Sequence, residues 1–235
     1  MTDERSMTDE APGQRENTAF LYPFIEAEET DAGALLVDLA ASARRKAEES
    51  VALQRSSLAR MHEEIVRAGR AMGERFQAGG RLYTFGNGGS STDAATLAAL
   101  FCRPAHGRAV PAWSLTDDQA VVTALGNDVG FELIFSRQIM AHAAEHDLAV
   151  ALSTSGNSDD LIRGLAEARR RGLLTIGFSG YDGGQMAASD DVDHCFTVDS
   201  QSIHRIQEAH ALIGYQLWLA AQEVMTELRR RARHR

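Results

Sequence analysis

The sequence predicts an α/β fold in which helices flank a parallel sheet, with a helical extension at the N-terminus. Short apolar segments recur through the chain, and helix-forming stretches lie between most of them. Strands of a parallel sheet covered on both faces are apolar along their whole length, because each face packs against helices. Five segments are predicted strands: Leu82–Phe85, Val110–Leu115, Leu148–Leu152, Leu174–Phe178 and Cys195–Val198.

The helices are predicted from apolar residues spaced three, four and seven apart. This spacing runs from about Gly33 to Phe76 and ends at Gly79-Gly80. Later helices are predicted at Asp93–Phe101, Asp118–Leu125, Glu132–Ala144, Asp159–Arg171 and about Ser202–Arg231. The predicted organisation is a disordered tail over 1–18, a helical arm over 19–78, the α/β domain over 79–228 and a basic tail over 229–235.

The composition argues against nucleic acid and membranes as binding partners. The 235 residues are 44% apolar and 24% charged, with a net charge of -9. We do not expect so acidic a chain to bind nucleic acid, since phosphate backbones are held by clustered cations. No apolar run could span a bilayer and the N-terminus is polar, so we expect a cytoplasmic protein without membrane contact. Met-Thr-Asp-Glu occurs at Met1 and again at Met7, and either methionine suits a start.

Two loops are candidates for a ligand-binding site, and each follows a predicted strand and precedes a predicted helix. Residues 86–91 read GNGGSS and residues 153–158 read STSGNS. Glycines such as Gly88 and Gly89 allow a close backbone approach to a ligand. Hydroxyls and backbone N–H groups at a helix N-terminus bind anions without lysine, and a phosphate monoester fits this environment. A glycine-rich turn alone is equally typical of a tight strand-to-helix connection.

Five blocks in order resemble the sugar isomerase (SIS) domain family. They are Gly86–Asp93, Leu125–Phe131 with Phe135–Gln138, Leu152–Ser158, Ser179–Gly184 and Arg205–Glu208. More narrowly they are similar to the phosphoheptose isomerase branch, which includes the replication-initiator-associating proteins. The resemblance implies a five-stranded flavodoxin-like fold, a homotetramer formed through the terminal helices, and a sugar-phosphate ligand such as sedoheptulose 7-phosphate.

The resemblance also implies roles for individual residues. The phosphate would be held by hydroxyl residues of the two loops, namely Ser90, Ser153, Thr154, Ser155 and Ser158. Asn87 and Asp118 would line the sugar, and Gln207 would face it from the last helix.

The metal and acid–base positions of the branch are substituted here. Its members carry a zinc-binding histidine and a glutamate base where this chain has Thr96 and Leu100. Where the branch has a second histidine, this chain has Tyr215, and where the branch has an aspartate, this chain has His204. Leucine can neither accept a proton nor ligate a metal, and tyrosine is a poor base because its pKa is about 10. We therefore expect no zinc and no other cofactor.

Three functions stay open at this point. The chain could bind a sugar phosphate without converting it. It could instead be an aldose–ketose isomerase in which Glu208 and His210 serve as relocated catalytic residues. A third alternative is an adaptor that contacts a protein partner through its N-terminal arm or the arginine-rich tail.

Overall fold

A computed structural model describes residues 32–233 of the chain. The described part of one compact unit ends at Lys46, and a second unit begins at Ala47. The strands are β1 (Leu82–Gly86), β2 (Ala112–Ser114), β3 (Leu148–Leu152), β4 (Leu174–Gly180) and β5 (His194–Val198). The helices are α1 (Ala32–Gln77), α2 (Gly89–Cys102), α3 (Gln119–Asp128), α4 (Ile134–His142), α5 (Asp159–Arg170), α6 (Gly184–Ala188) and α7 (Ile203–Arg233), with a 3-10 turn at Phe131–Leu133.

The five strands form one parallel sheet in the order β2-β1-β3-β4-β5. This is the flavodoxin-like order, so the predicted fold class is confirmed. Leu82 of β1 pairs with Ala112 on one side and with Leu148 on the other. The chain thus leaves β1 toward β2 at one edge, and returns to β3 on the opposite side of β1.

Both faces of the sheet are buried, as the uniformly apolar strands indicate. Leu148, Val150 and Leu152 of β3 join the core formed with α1, α2 and α7. Ala149 and Ala151 of the same strand join the core formed with α4, α5 and α6. The alternation follows from the two-residue period of side chains along a strand.

The element bounds differ from the predictions mainly at the first loop. Helix α2 begins at Gly89, four residues before the predicted start at Asp93. Glycine and serine are weak helix formers, so composition hides this first turn. The short helix α6 was not predicted. The predictions for residues 1–18, and those for 19–31 and 234–235, fall outside the described part of the chain.

None of the helices in the described range is both long and apolar enough to cross a membrane.

Candidate functional site

The two predicted loops lie at the carboxyl ends of β1 and β3, which are adjacent strands. In an open parallel sheet, ligands bind in the crevice where neighbouring strands send their connections to opposite sides. The strand order places that crevice between β1 and β3. The fold therefore brings the GNGGSS and STSGNS loops together at the point where a ligand is expected.

The first loop is short, because only Asn87 and Gly88 separate β1 from α2. Gly88 has a φ of 55° and a ψ of -124°, a combination that side-chain-bearing residues rarely adopt. Ser90 lies buried in the first turn of α2. The first N–H groups of a helix have no partner within it, so this turn can donate to an anion in the crevice.

The second loop is held in place by its own side chains. The Oγ of buried Ser153 accepts a hydrogen bond from the Gly156 amide at 3.0 Å, and Ser155 Oγ accepts from the Asn157 amide at 3.3 Å. Ser158 is the N-cap residue of α5, yet its side chain makes no capping hydrogen bond. Its role toward a bound phosphate stays a prediction. Thr154 is half-buried in the same loop.

A side-chain contact joins the first loop to the start of α5, the helix that directly follows the second loop. The amide nitrogen of Asn87 donates to both carboxylate oxygens of Asp160, at 3.1 and 2.8 Å. Asp160 lies in the first turn of α5 and is only 4% exposed. Burial raises the pKa of its carboxyl, and the hydrogen bond from Asn87 partly opposes that rise. The contact leaves the amide oxygen of Asn87 as the atom that can accept a hydrogen bond from a ligand.

Gln207 reaches the first loop from α7. A Cβ atom built on Gly89 would lie 2.4 Å from Gln207 Nε2, which is far closer than van der Waals contact. Only glycine at this position lets the amide of Gln207 approach the start of α2. Its predicted role, facing the sugar from the last helix, stays a prediction.

Asp118 follows β2 and precedes α3. It is exposed and caps α3, with its Oδ1 accepting from the Val121 amide at 3.1 Å. This is an ordinary N-cap contact. Its role toward a sugar stays a prediction.

Glu208 is engaged in contacts within the protein. Its carboxylate accepts hydrogen bonds from Arg205 Nη1 at 2.7 Å and from the Ser50 hydroxyl. The contact with Ser50 links α7 to α1, whereas the contact with Arg205 lies within α7. Both are contacts of a structural kind.

His210 is 1% exposed, and its Nε2 lies 2.9 Å from the carbonyl oxygen of Ser179. Because a carbonyl only accepts, Nε2 carries the proton and Nδ1 is left as an acceptor. Burial lowers the pKa of His210 to about 4, so the ring is neutral at neutral pH. The catalytic roles of Glu208 and His210 stay predictions.

The residues at the positions where the resemblance implies zinc-binding and acid–base groups do not fit a metal here. The Thr96 hydroxyl donates to the Thr92 carbonyl at 2.9 Å, and Leu100 packs against the apolar core. Tyr215 stacks on Trp218 with ring centroids 5.5 Å apart. Across residues 32–233, no group of three or more His, Cys, Asp and Glu side chains is arranged to hold a metal ion.

Comparisons with known proteins agree with the geometry. Residues 47–180 match the model of the SIS domain. The phosphoheptose isomerase of Aquifex aeolicus is 40% identical over 70% of this chain and 86% of its own length. That of Aneurinibacillus thermoaerophilus is 37% identical over 65% and 77%. The solved phosphoheptose isomerase of Neisseria gonorrhoeae superposes with a TM-score of 0.73 at 31% identity, covering 79% of this chain and all of that one.

A flavodoxin-like sheet with hydroxyl-rich loops at its crevice, found together with these relatives, places the chain in the SIS domain family and in its phosphoheptose isomerase branch.

Proposed function

We propose that this protein binds a sugar phosphate and holds the phosphate monoester between the two loops. The convergence of two helix N-termini and the hydroxyls of Ser153, Ser155 and Ser158 on one crevice carries the proposal. Helix N-termini offer N–H donors and a positive partial charge, so a phosphate can be bound there without a lysine. The relatives named as phosphoheptose isomerases make a heptose phosphate such as sedoheptulose 7-phosphate the first ligand to test.

The sugar would extend from the loops toward Asn87 and Gln207. The amide oxygen of Asn87 can accept a hydrogen bond from a sugar hydroxyl while its nitrogen holds Asp160. Gln207 offers both a donor and an acceptor beside Gly89. Amide groups are suited to hydroxyls, which also donate and accept.

The second part of the proposal is that binding occurs without zinc-assisted isomerisation. Thr96, Leu100 and Tyr215 supply neither a metal site nor a base, and each catalytic acid or base of an isomerase typically contributes about 10²–10⁴-fold in rate. The relocated pair receives little support from the geometry. His210 is a neutral buried ring bound to the Ser179 carbonyl, and Glu208 is bound to Arg205.

Calorimetric titration of the purified protein with sedoheptulose 7-phosphate tests the binding claim. We expect measurable affinity, and a loss of about fivefold or more in Ser155→Ala, because a hydrogen bond to a charged group is removed. Ser56→Ala, a serine on the exposed face of α1, is the matched control. No heat or thermal shift with any ketose or aldose phosphate would refute the proposal.

The same preparation tests the claim about the reaction. Metal analysis should find no bound zinc, and a coupled assay should find no conversion of the ketose phosphate. Turnover that is lost in Glu208→Gln and His210→Asn would favour the relocated isomerase instead. Stoichiometric zinc that supports turnover would refute this part of the proposal while leaving the binding claim intact.

We also propose a cytoplasmic homotetramer. Helices α1 and α7 expose large apolar side chains, among them Val51, Val66, Ile203 and Tyr215, and such side chains support association between copies. Light scattering during gel filtration would give the number of chains, and a monomer at micromolar concentration would contradict the assembly.

A further inference from the structure

An open groove runs between α4 and α5, the two helices that cover part of the second face of the sheet. Their buried side chains, such as Phe135, Ile139 and Leu161, pack into the core beneath them. The groove has a volume of about 400 Å³. It is lined by Leu133, Ser136, Arg137, Met140, Arg163, Ala166, Glu167 and Arg170. None of these residues belongs to the two loops, so the proposed phosphate site does not account for the groove.

The two helices run side by side in the same direction. Near their starts, a Cβ atom built on Gly164 would lie 3.2 Å from Phe135 Cβ. Near their ends, Arg171 Nη1 donates to the Ala143 carbonyl at 3.4 Å. A residue of α4 therefore lies level with the residue of α5 that is 28 or 29 positions later in the chain.

This alignment places three arginines in a row along the groove. Arg137 of α4 is level with about Ala166 of α5. Because a helix rises about 1.5 Å per residue, Arg163 lies about 4.5 Å before that level and Arg170 about 6 Å beyond it. The row of cationic residues is therefore about 10 Å long, which suits an extended occupant better than a single small anion.

Two arginines of the row lack an acidic partner. The closest polar contact of Arg137 is Met140, whose Sδ lies 3.9 Å from Nη1. Arg163 is exposed and makes no hydrogen bond or ion pair with any residue in the range 32–233. Asp159, four residues before Arg163 on α5, does not pair with it. Both guanidinium groups are thus available to a carboxylate from outside.

The third arginine shares its acidic partner. The Glu167 carboxylate accepts hydrogen bonds from Arg170 Nη2 and from Arg171 Nε, each at 2.7 Å. These bonds, that from Arg170 above all, lower the pKa of the Glu167 carboxyl, so it stays ionised and neutralises one cation. Four arginines against one glutamate leave a net charge of +3 around the groove, although the whole chain carries -9.

The uncharged part of the lining indicates which class of polyanion fits. Met140 is 40% exposed, and Leu133 and Ala166 lie beside it in the groove. The groove-lining residues within the described range include no aromatic side chain on which a nucleic-acid base could stack. A groove between two helices that combines apolar and charged side chains is instead suited to an amphipathic helix.

We propose that the α4–α5 groove is a docking site for an acidic amphipathic helix of a partner protein. Carboxylates at positions i, i+3 and i+7 of that helix rise by about 4.5 and 6 Å, which matches the row of Arg163, Arg137 and Arg170. Leucine-like side chains between the carboxylates would pack on Met140 and Leu133. The inference goes beyond sugar-phosphate binding and does not depend on it, because the groove shares no residue with the two loops.

The probe is a fluorescent synthetic helix of about four turns, with glutamates at i, i+3 and i+7 and leucines beside them. A peptide of the same composition in scrambled order keeps the charge but breaks the stripe. Anisotropy titrations are carried out at low and high salt on the wild type, on Arg137→Gln/Arg163→Gln and on Arg229→Gln/Arg230→Gln. The last variant removes two exposed positive charges at the far end of α7 and is the matched control. Light scattering of each protein gives its number of chains, and a labelled single-stranded oligonucleotide is titrated in parallel.

We expect saturable binding of the designed helix that weakens with salt, because exposed charges are screened. Arg137→Gln/Arg163→Gln should bind it about 3–30-fold more weakly, since two exposed charge pairs are lost, whereas the control variant should match the wild type. Sedoheptulose 7-phosphate affinity should be the same in all three proteins.

Several results would overturn the docking site. They are the absence of saturable binding, equal affinity for the scrambled peptide, and equal losses in the two double variants, which would indicate a general effect of net charge. Binding of the oligonucleotide but not of the helix would assign the groove to nucleic acid. A changed number of chains in Arg137→Gln/Arg163→Gln would assign it to a contact between copies. Each of these outcomes leaves the sugar-phosphate proposal intact.

Discussion

The buried ring of His210 makes the stability of this protein sensitive to acid. Its pKa is lowered from 6.5 to about 4 in the folded state by burial. The unfolded chain therefore takes up a proton between these two values while the folded chain does not, and stability falls as pH drops through that window. Each pH unit corresponds to about 1.36 kcal/mol, so acidification from pH 7 to pH 5 should remove about 2 kcal/mol through this group alone.

Urea unfolding of the wild type and His210→Asn at pH 7 and pH 5 measures this term. The variant loses the hydrogen bond to the Ser179 carbonyl and is less stable at both values, but its stability should fall about 2 kcal/mol less on acidification. Asp93, which lines a small cavity together with His210, is unchanged in both proteins, so its own titration largely cancels in the comparison. His62→Asn on the exposed face of α1 controls for the loss of a surface histidine. Parallel pH dependence in wild type and His210→Asn would refute the reasoning.

The remaining predictions concern the loops and α7. Asn87→Leu leaves the Asp160 carboxylate buried without its side-chain partner, and should lower the free energy of unfolding by about 1.5–3 kcal/mol in urea; a loss below about 0.5 kcal/mol would contradict the importance of this contact. Gly156 has a φ of 67°, and an added Cβ would lie 2.1 Å from the carbonyl oxygen of Gly183. Gly156→Ala should therefore displace the second loop and weaken sugar-phosphate binding about tenfold or more, whereas wild-type affinity by calorimetry would show that the loop tolerates the change. Gln207→Leu should weaken sugar-phosphate affinity about 5–10-fold, with the unfolding free energy changed by less than about 1 kcal/mol; a large loss of stability with unchanged affinity would assign Gln207 a structural role instead.

Periodicity and strand spacing were sufficient to predict the sheet and the two loops. Both depend on local patterns: apolar runs such as Leu148–Leu152 predict buried strands, and the glycines and hydroxyls after them predict the crevice. The start of α2 was placed too late, because Gly89 and Ser90 have low helix propensity and the turn is fixed by the conformation of Gly88. That error hid the fact that Ser90 and Ser91 belong to the helix.

Contacts between distant residues could not be predicted in the same way. Asp160 falls in the first turn of the helix predicted at Asp159–Arg171, and only the fold shows that it contacts Asn87, 73 positions earlier. The environment of His210 is also tertiary, since its burial depends on α2 and on the end of β4. Asp93 was assigned no role from sequence, because nothing in its neighbourhood along the chain shows that its carboxylate faces a cavity shared with α7.

The contact between Asn87 and Asp160 bears on how ligand binding changes the stability of the folded chain. It ties the first loop to the start of α5, directly after the second loop, so a phosphate bound between the two loops and this hydrogen bond would restrain the same gap in the fold. A ligand at a hundred times its dissociation constant adds about 2.7 kcal/mol to the stability of the folded state. In a protein that retains its ligand without converting it, the stability of the folded chain would therefore rise with the cellular concentration of that sugar phosphate.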